Sequence, residues 1–334
     1  MTGEHPVSRK PKGAVSRPTL VSADMAVKMA WLYHVEGMTQ EGIANLLGVS
    51  RMKVMRALAT SASENMVVTT INADTVEQVA LERALEQHWD LHSAVVVPTP
   101  VESRNLERAI GHAVARYLAT QFQDGMTLAI GGGATLHSSL SFLQQRELKD
   151  ATVIGLVGSL PHSQWINPSV VATKVAERMR VDSYQISAPV VVDDAGLRQR
   201  LWEQPLLQEV RDRAAAADMA VLTVGDVSPD ATIFRHNIVP KDLIAPLRER
   251  GAVANMLCYF IDGRGCLVDH GINQRIMAVD LPVVAAIPHV VLAAGGRNKI
   301  PAIEAALRAV PARTLITDSE TAQALIERRQ VDED

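Results

Sequence analysis

Three basic side chains lie close together in a short segment near the N-terminus of the chain. Arg51, Lys53 and Arg56 are interspersed with Val54 and Leu58, which recur at the i, i+4 spacing of a helix with one apolar side. A short helix with an apolar back and a basic front fits the major groove of DNA, where Arg and Lys contact base edges and phosphates. The segment is therefore predicted to bind DNA.

The residues before this helix show the pattern of another helix and a tight turn. Ile43 and Ala44 lie on one face of the first helix, and Gly48 supplies the positive φ with which helices commonly end. Ser50 can then cap the start of the second helix. The segment Thr39–Leu58 is thus predicted to be a helix-turn-helix. The predicted DNA-binding residues are Thr39, Gln40, Ser50, Arg51, Met52, Lys53 and Arg56.

The same spacing also occurs in two amphipathic helices of an ordinary core, so the flanking residues matter. Residues 23–37 have the pattern of a preceding helix, and residues 65–71 are a short β-rich stretch in the position of a wing. Together they predict a winged helix-turn-helix domain over residues 21–72. The packing face predicted for the preceding helix contains Met25, Met29, Leu32 and Tyr33.

The composition indicates a globular protein with more than this one domain. Its 334 residues are 47% hydrophobic and 21% charged, and only 4% are aromatic, so the core must be mainly aliphatic. The net charge of −4 divides unevenly, since residues 1–70 carry eight Lys and Arg against five Asp and Glu. A mildly basic N-terminal part on an acidic body is consistent with contact to phosphate.

The two cysteines, Cys258 and Cys266, have neither the spacing of a zinc site nor that of a disulfide framework. We therefore expect reduced thiols in the cytoplasm, no metal and no cofactor. The N-terminus lacks the apolar segment of a signal peptide. The most apolar stretch, residues 277–294, is interrupted by Asp280 and Pro282, so no membrane partner is expected.

Two other segments are assigned from composition. Residues 1–20 contain four basic residues among Pro, Ser and Gly, and are predicted to be a disordered tail that is either solvated or in contact with DNA phosphate. Residues 73–92 are predicted to form a linker helix, with Val76, Val79, Leu85 and Trp89 on its apolar face. This helix is also a candidate dimer contact.

From residue 94 onward, short apolar runs alternate with helical patterns. The alternation predicts an α/β fold, in which a Rossmann-like, doubly wound parallel sheet forms an effector domain over residues 93–330. Ligands bind at the carboxyl ends of the strands in such sheets. A β hairpin is expected around the turn at residues 262–265, with residues 253–260 as one strand and 266–268 as the other.

Three of the predicted strands end in glycines that precede a helix, and two of them suggest a ligand site. Gly131–Gly133 precede Thr135 at the start of a helix, where the backbone can approach a ligand closely and free N–H groups can meet an anion or a sugar. The spacing is neither that of a phosphate-binding Walker loop nor that of a dinucleotide fingerprint. Gly295 and Gly296 precede Lys299 in the same way. The alternative interpretation of the first segment is a tight turn without a ligand, and that of the second is a lysine exposed to solvent.

These residues resemble the SorC family of bacterial transcriptional regulators, and the resemblance extends over nearly the whole chain. The matching blocks are Met38–Arg51, Ile130–Leu136, Ala217–Ala220 with Val224–Gly225, Gly251–Val253 with Phe260–Asp262, Ala293–Lys299 with Ala302–Ile303, and Leu315–Asp318 with Thr321–Ala322. Six blocks in the same order are more specific than any one of them.

The resemblance implies a winged DNA-binding head and a sugar-isomerase-like Rossmann domain that binds a sugar, a polyol or a sugar phosphate. It also implies operator DNA as a partner and self-association as a dimer or tetramer. The effector would induce or repress transcription, with the sign left open. The candidate effector-binding residues are Gly132, Gly133, Ala134, Thr135, Gly158, Ser159, Asn255 and Lys299.

Two of these positions depart from the family's pattern. An acidic residue usually stands where this chain has Asn255, and a bulky residue often stands in place of Gly132. Asparagine can donate and accept hydrogen bonds but adds no charge. The departures leave an unphosphorylated polyol or an unusual sugar as compatible as a sugar phosphate.

The competing function is that of an enzyme. The body also resembles sugar-phosphate isomerases and deaminases, which use a carboxylate and a histidine, and Asp226, Asp230 and His236 follow one predicted strand. No acid–base pair is evident beside the glycine loops, and a fused helix-turn-helix favours a regulator of a carbohydrate or polyol catabolic operon.

Overall fold

The computed structural model describes residues 23–63, 76–160 and 167–333. The chain divides into two compact units, Met1–Thr69 and Thr70–Asp334, which are called here the head and the body. The tail predicted over residues 1–20 and the wing predicted over residues 65–71 lie outside the described residues.

The described head contains the three predicted helices, which are α1 (Ala23–His34), α2 (Gln40–Leu47) and α3 (Arg51–Ser63). The turn between α2 and α3 has the predicted chemistry. Gly48 adopts φ 62° and its N–H bonds back to the carbonyl oxygens of Ala44 and Asn45. The Ser50 hydroxyl accepts a hydrogen bond of 3.2 Å from the Lys53 N–H at the start of α3.

A small apolar core holds the three helices of the head together. Ile43 of α2 and Val54 of α3 are fully buried in it, as is Met29 of α1. The expectation that Tyr33 packs on the same face is wrong, because its side chain is 38% exposed. Tyr33 directly follows Leu32, and one residue turns a helix by about 100°, which carries Tyr33 off the buried stripe and sets its ring against His34.

The described body contains ten strands and eleven α-helices. The strands are β1 (Ser93–Val97), β2 (Thr127–Ile130), β3 (Thr152–Gly155), β4 (Asp182–Tyr184), β5 (Met219–Leu222), β6 (Val224–Asp226), β7 (Ala252–Met256), β8 (Tyr259–Asp262), β9 (His289–Ala293) and β10 (Thr314–Asp318). The helices are α4 (Val76–His88), α5 (Leu106–Gln121), α6 (Ala134–Ser139), α7 (Pro168–Met179), α8 (Ala195–Trp202), α9 (Pro205–Ala215), α10 (Thr232–Arg235), α11 (Ile244–Glu249), α12 (Leu281–Ala285), α13 (Ile300–Ala309) and α14 (Ser319–Glu333).

Seven of the strands form the predicted doubly wound parallel sheet, in the order β1-β10-β9-β5-β2-β3-β4. Every neighbouring pair in it is parallel. Alternate side chains of a strand enter different cores, since Leu128 and Ile130 of β2 pack in one cluster and Ala129 packs in the other. Burial on both faces explains why the strands are near-continuous apolar runs.

The order of the strands creates a point at which the chain changes direction across the sheet. After β2 the chain adds β3 and β4 on one side, and after β5 it adds β9 and β10 on the other. Because β2 and β5 are neighbours, the connections that leave their carboxyl ends diverge and open a crevice between them.

The remaining strands form an antiparallel sheet in the order β6-β7-β8. The expectation of one strand over residues 253–260 is wrong, because the chain reverses at Leu257 and Cys258, which have φ of 50° and 68°. Two-residue hairpin turns of this kind usually contain Asn-Gly, so the sequence carried no signal for it. The turn expected at residues 262–265 is present, with the Gly265 N–H bonded to the Asp262 carbonyl at 2.9 Å.

Helix α4, which follows the head in the chain, packs on the edge of the main sheet. Its Leu85 is fully buried. The carboxylates of Glu82 and Glu86 accept hydrogen bonds from the N–H groups of Val96 and Ala94 in β1, at 2.9 and 3.1 Å. These bonds satisfy donors that the edge strand would otherwise leave open. Among the described helices, none is both long enough and apolar enough to cross a membrane.

Candidate functional site

A cavity of about 840 Å³ lies at the carboxyl ends of the parallel strands. It opens where β2 and β5 diverge. The loops that follow β1, β2, β5 and β9 contribute to its wall, as does the junction of β10 with α14. Its volume is in the range that holds a small-molecule ligand. Of the candidate effector-binding residues, those that line it are Gly132, Gly133, Ala134, Thr135, Asn255 and Lys299.

The glycines after β2 are required by close packing of the backbone. A Cβ on Gly132 would lie 2.8 Å from the ring of Pro168, the first residue of α7. Gly133 adopts φ 111°, and a Cβ there would lie 2.6 Å from the hydroxyl oxygen of Thr223. The glycine at position 132, where the family often has a bulky residue, is therefore explained by the close packing of Pro168. The tight-turn interpretation accounts for both glycines, so the case for a ligand rests on the cavity itself.

Thr135 presents a hydroxyl at the wall of the cavity. The residue is only 6% exposed. Its hydroxyl makes no hydrogen bond to another described residue, which leaves it free for a ligand oxygen.

A carboxylate from β6 lies beside Asn255 of β7. The two strands pair so that Gly225 is opposite Asn255, and the Asn255 side chain donates a 2.8 Å hydrogen bond to the Asp226 carbonyl. One oxygen of the Asp226 carboxylate accepts from the Ser228 hydroxyl and the other from the Asn298 amide, both at 2.8 Å. The chain thus has an acidic group in this part of the cavity although Asn255 is neutral. Sequence reasoning considered Asp226 only for an enzyme.

The loop after β9 carries two cations with different surroundings. Arg297 is exposed and forms a 2.9 Å ion pair with Glu320. Lys299 is half-buried, lines the cavity and forms no ion pair with another described residue. It is the residue immediately before α13, as the sequence indicated. Both cations line the cavity, and Lys299 is the one that is not paired with a described carboxylate.

The carboxylate of Asp318, at the end of β10, joins the loops after β1 and β9 to the start of α14. It is 1% exposed and accepts hydrogen bonds from the Thr99 hydroxyl at 2.7 Å, the Thr321 hydroxyl at 2.6 Å and the Gly296 N–H at 3.0 Å. Gly295 has no room for a Cβ, which would collide with the same carboxylate. Asp318 lines the cavity and holds its wall in place. Asp318 is not among the effector-binding residues predicted from the sequence, although an Asp between a predicted strand and a predicted helix is a typical helix-capping residue.

Gly158 and Ser159 are not among the residues that line the cavity. Their N–H groups donate to the carbonyl oxygens of Met277 and Ala188, both at 2.8 Å. Val157, just before them, does line it. The structure therefore brings six of the eight candidate residues together and keeps this turn apart.

In the head, the predicted DNA-binding residues lie mostly on the outer surface. Arg51, Met52 and Arg56 of α3 are exposed, and Lys53 and Gln40 are half-buried. The exposed hydroxyls of Thr39 and Ser50 accept hydrogen bonds from the Gly42 and Lys53 N–H groups, which caps α2 and α3. Each hydroxyl can still donate its own hydrogen to a phosphate. Met55, which sequence reasoning did not include, is 44% exposed on the same helix.

Among the described residues, the carboxylates and the histidine considered for an enzyme do not meet at the cavity. Asp226 and Asp230 line it but His236 does not. The pKa of His236 is lowered, mainly by desolvation and to a smaller extent by the positive charge of Arg235. Burial raises the pKa of the Cys258 thiol to about 12, so it is protonated and a poor nucleophile at neutral pH. Among the described residues, no group of three or more His, Cys, Asp or Glu could hold a metal ion.

Comparison with known proteins identifies the family. The family model described as "Putative sugar-binding domain" matches residues 73–327. The transcriptional regulator LsrR of Klebsiella pneumoniae is 30% identical over 314 residues, which cover 92% of this chain and 94% of that protein. The chain belongs to the SorC family of sugar-responsive transcriptional regulators. The erythritol catabolism regulatory protein EryD of Brucella abortus is 28% identical, over 90% of this chain and 96% of that protein.

Solved structures show the same fold. The full-length sorbitol operon regulator SorC of Klebsiella pneumoniae aligns with a TM-score of 0.68 and 22% identity, over 91% of this chain and 98% of that one. A DeoR family transcriptional regulator from Listeria monocytogenes aligns with a TM-score of 0.69 and 23% identity, over 74% and 99%. The resemblance and the fold class derived from the sequence are confirmed, and the relatives named as regulators favour a SorC regulator over an enzyme.

Replacing Asp318 by asparagine tests its role in the cavity wall. The amide keeps the shape but replaces one accepting oxygen by a donor, which faces the hydroxyl and N–H donors of Thr99, Thr321 and Gly296. We expect Asp318→Asn to lower the free energy of unfolding by about 1–3 kcal/mol in urea denaturation. The matched control Asp230→Asn, at an exposed cavity residue, should change it by less than about 0.5 kcal/mol. Equal stabilities of the two variants would contradict the role.

Proposed function

We propose that this SorC-family regulator binds operator DNA through α3 and binds a sugar, a polyol or a sugar phosphate in the strand-end cavity. The ligand changes the affinity of the head for DNA, and the gene targets belong to carbohydrate or polyol catabolism in the cytoplasm. The observation that supports this most strongly is one chain with an exposed basic helix in the head and a strand-end cavity rich in hydrogen-bonding groups in the body.

The charges of the head favour DNA as the partner of α3. All ionisable side chains of α3 are basic, since the helix contains Arg51, Lys53 and Arg56 and no Asp or Glu. The acidic residues of the described head lie on α1, α2 and the loop between them. A phosphate backbone would meet only cations along α3. One such head covers few base pairs, so two heads on a roughly palindromic site fit best.

The groups in the cavity suit a ligand that carries several hydroxyls. The Asp226 carboxylate and the side-chain oxygen of Asn255 accept hydrogen bonds, Thr135 does both, and Lys299 donates. Adjacent hydroxyls of a sugar or polyol satisfy such a set, and a single anionic group would lie at Lys299. The relatives named for erythritol catabolism, the sorbitol operon and deoxyribonucleosides support this class of ligand.

The packing of the body connects the cavity to α4. Asp318 connects the Gly296 loop of the cavity to Thr99, which follows β1, and to the start of α14. Both β1 and α14 pack against α4, which is the first described helix after the head in the chain. A ligand that favours one arrangement of the strand-end loops would bias α4, and so couple the cavity to DNA binding.

Self-association as a dimer or tetramer is part of this proposal. Three exposed apolar residues are spaced at intervals of four, Val27 and Trp31 in α1 and Val35 just after its end, and they lie along one side. An apolar stripe of this kind is typical of a contact between protein surfaces. Dimerisation would present two copies of α3 to the two halves of an operator.

Removal of two arginines from α3 tests the DNA interface. We expect the double variant Arg51→Ala, Arg56→Ala to bind DNA at least about 30-fold more weakly, because each arginine contributes about 1–3 kcal/mol to a base contact or binds phosphate. The DNA is a duplex selected by the wild-type protein from a random library, and Kd is measured by fluorescence anisotropy. Lys28→Ala, which removes an exposed cation of α1, is the control and should leave Kd within about threefold. An unchanged Kd in the double variant would overturn the assignment of α3.

A thermal-shift screen tests the ligand class. Erythritol, sorbitol, deoxyribose and their phosphates should include at least one compound that raises Tm, since a ligand that binds only the native state stabilises it. The Tm increase should be much smaller in Lys299→Ala and unchanged in Lys241→Ala, an exposed lysine away from the cavity. No increase with any of these compounds, or equal increases in both variants, would contradict the proposed site.

A further inference from the structure

The outer surface of α3 carries two methionines between its two arginines. Met52 is 53% exposed and Met55 is 44% exposed, and Arg51 and Arg56 are exposed as well. Arg51 is four residues from Met55, and Met52 is four residues from Arg56, so the four side chains are neighbours on one helix face. We call this face the Arg–Met patch.

Neither methionine of the patch contributes to the core of the head. Val54, Ala57 and Leu58 form the buried side of α3, whereas Met52 and Met55 are not part of that cluster. Removing large apolar side chains from water is favourable, and these two exposed methionines do not have that stabilisation in the head alone. The patch is therefore suited to a partner surface that offers apolar contacts beside acceptors for the arginines.

The major groove of DNA offers both kinds of contact within one base-pair step. The C5 methyl group of thymine is the apolar group in that groove, and the O6 and N7 atoms of guanine accept the two donors of an arginine. An apolar protein surface would cover the methionines but would remove water from two guanidinium groups without pairing them. The arginines that flank the methionines, and the absence of acidic residues from α3, thus favour DNA over a second protein surface.

We infer that Met52 and Met55 contact thymine methyl groups in the operator, beside the bases or phosphates that Arg51 and Arg56 contact. The inference rests on the proposed binding of DNA by α3 and adds the bases that the head prefers. The two residues are three positions apart, about 4.5 Å along the helix axis, and base pairs are about 3.4 Å apart. The two methyl groups therefore lie one or two base-pair steps apart.

Replacement of thymine by uracil tests this contact, because it removes the C5 methyl group and nothing else. In a duplex selected by the wild-type protein, each thymine is replaced singly and Kd is measured by fluorescence anisotropy. We expect one or two positions at which uracil weakens binding by about fourfold, the worth of one buried methyl group. Met52→Ala or Met55→Ala should weaken binding to the thymine duplex by a similar factor and lose the sensitivity to uracil at one of these positions.

The exposed apolar residue Leu206 of α9 provides the matched control, since Leu206→Ala should keep the full sensitivity to uracil. Methionine variants that remain as sensitive to uracil as the wild type would overturn the inference while leaving DNA binding by α3 intact. Methionine variants that change the oligomer mass in sedimentation, but not the uracil effect, would overturn it in favour of a protein contact. Failure to select any duplex over random DNA would overturn the proposed function together with the inference.

Discussion

The carboxyl end of the sheet depends on the buried carboxylate of Asp318. A carboxylate removed from water is costly unless hydrogen bonds replace the lost hydration. Here the donors come from the loop after β1, the loop after β9 and the start of α14. The cost of burying the charge thus fixes the relative positions of three segments that are far apart in the sequence, and these segments form one wall of the cavity.

A second wall of the cavity has a different origin. It comes from the antiparallel sheet β6-β7-β8, which is inserted between β5 and β9 and places Asp226 next to Asn255. The Asn298 side chain joins the two walls through its 2.8 Å hydrogen bond to Asp226. A ligand that competes for the Asp226 carboxylate would therefore disturb a contact between the walls, and this gives the ligand leverage over the loop that contains Lys299. In the proposed function, the contacts of β1 and α14 with α4 would carry that effect to the first described helix of the body.

Local patterns in the sequence were enough for the helices of the head and for the class of the body. Gly48 and Ser50 act through bonds to residues within four positions, so their roles could be recognised from spacing. The strands of the sheet are apolar because both faces are buried, and this too is visible in the sequence. Lys299 could be placed because a strand, two glycines and a helix follow one another there.

The features that the sequence did not reveal depend on pairing between distant residues. Asp226 lies beside Asn255 only because Gly225 is in register with Asn255. The hairpin that sets this register turns at Leu257 and Cys258, whose side chains give no turn signal. The partners of Asp318 are more than twenty residues away at Gly296 and more than two hundred away at Thr99. Gly158 and Ser159 were placed at the ligand by resemblance, whereas the fold uses their N–H groups to bond neighbouring segments.

In the proposed function, ligand binding in the body and DNA binding by the head are coupled. The most direct test is an anisotropy titration of a selected operator duplex with the wild-type protein, without ligand and with a saturating concentration of a sugar or polyol that raises Tm. Coupling predicts that the ligand changes the Kd for DNA by about 5–150-fold, in either direction, and that the duplex changes the Kd for the ligand by the same factor. An identical Kd for DNA with and without bound ligand would contradict the account.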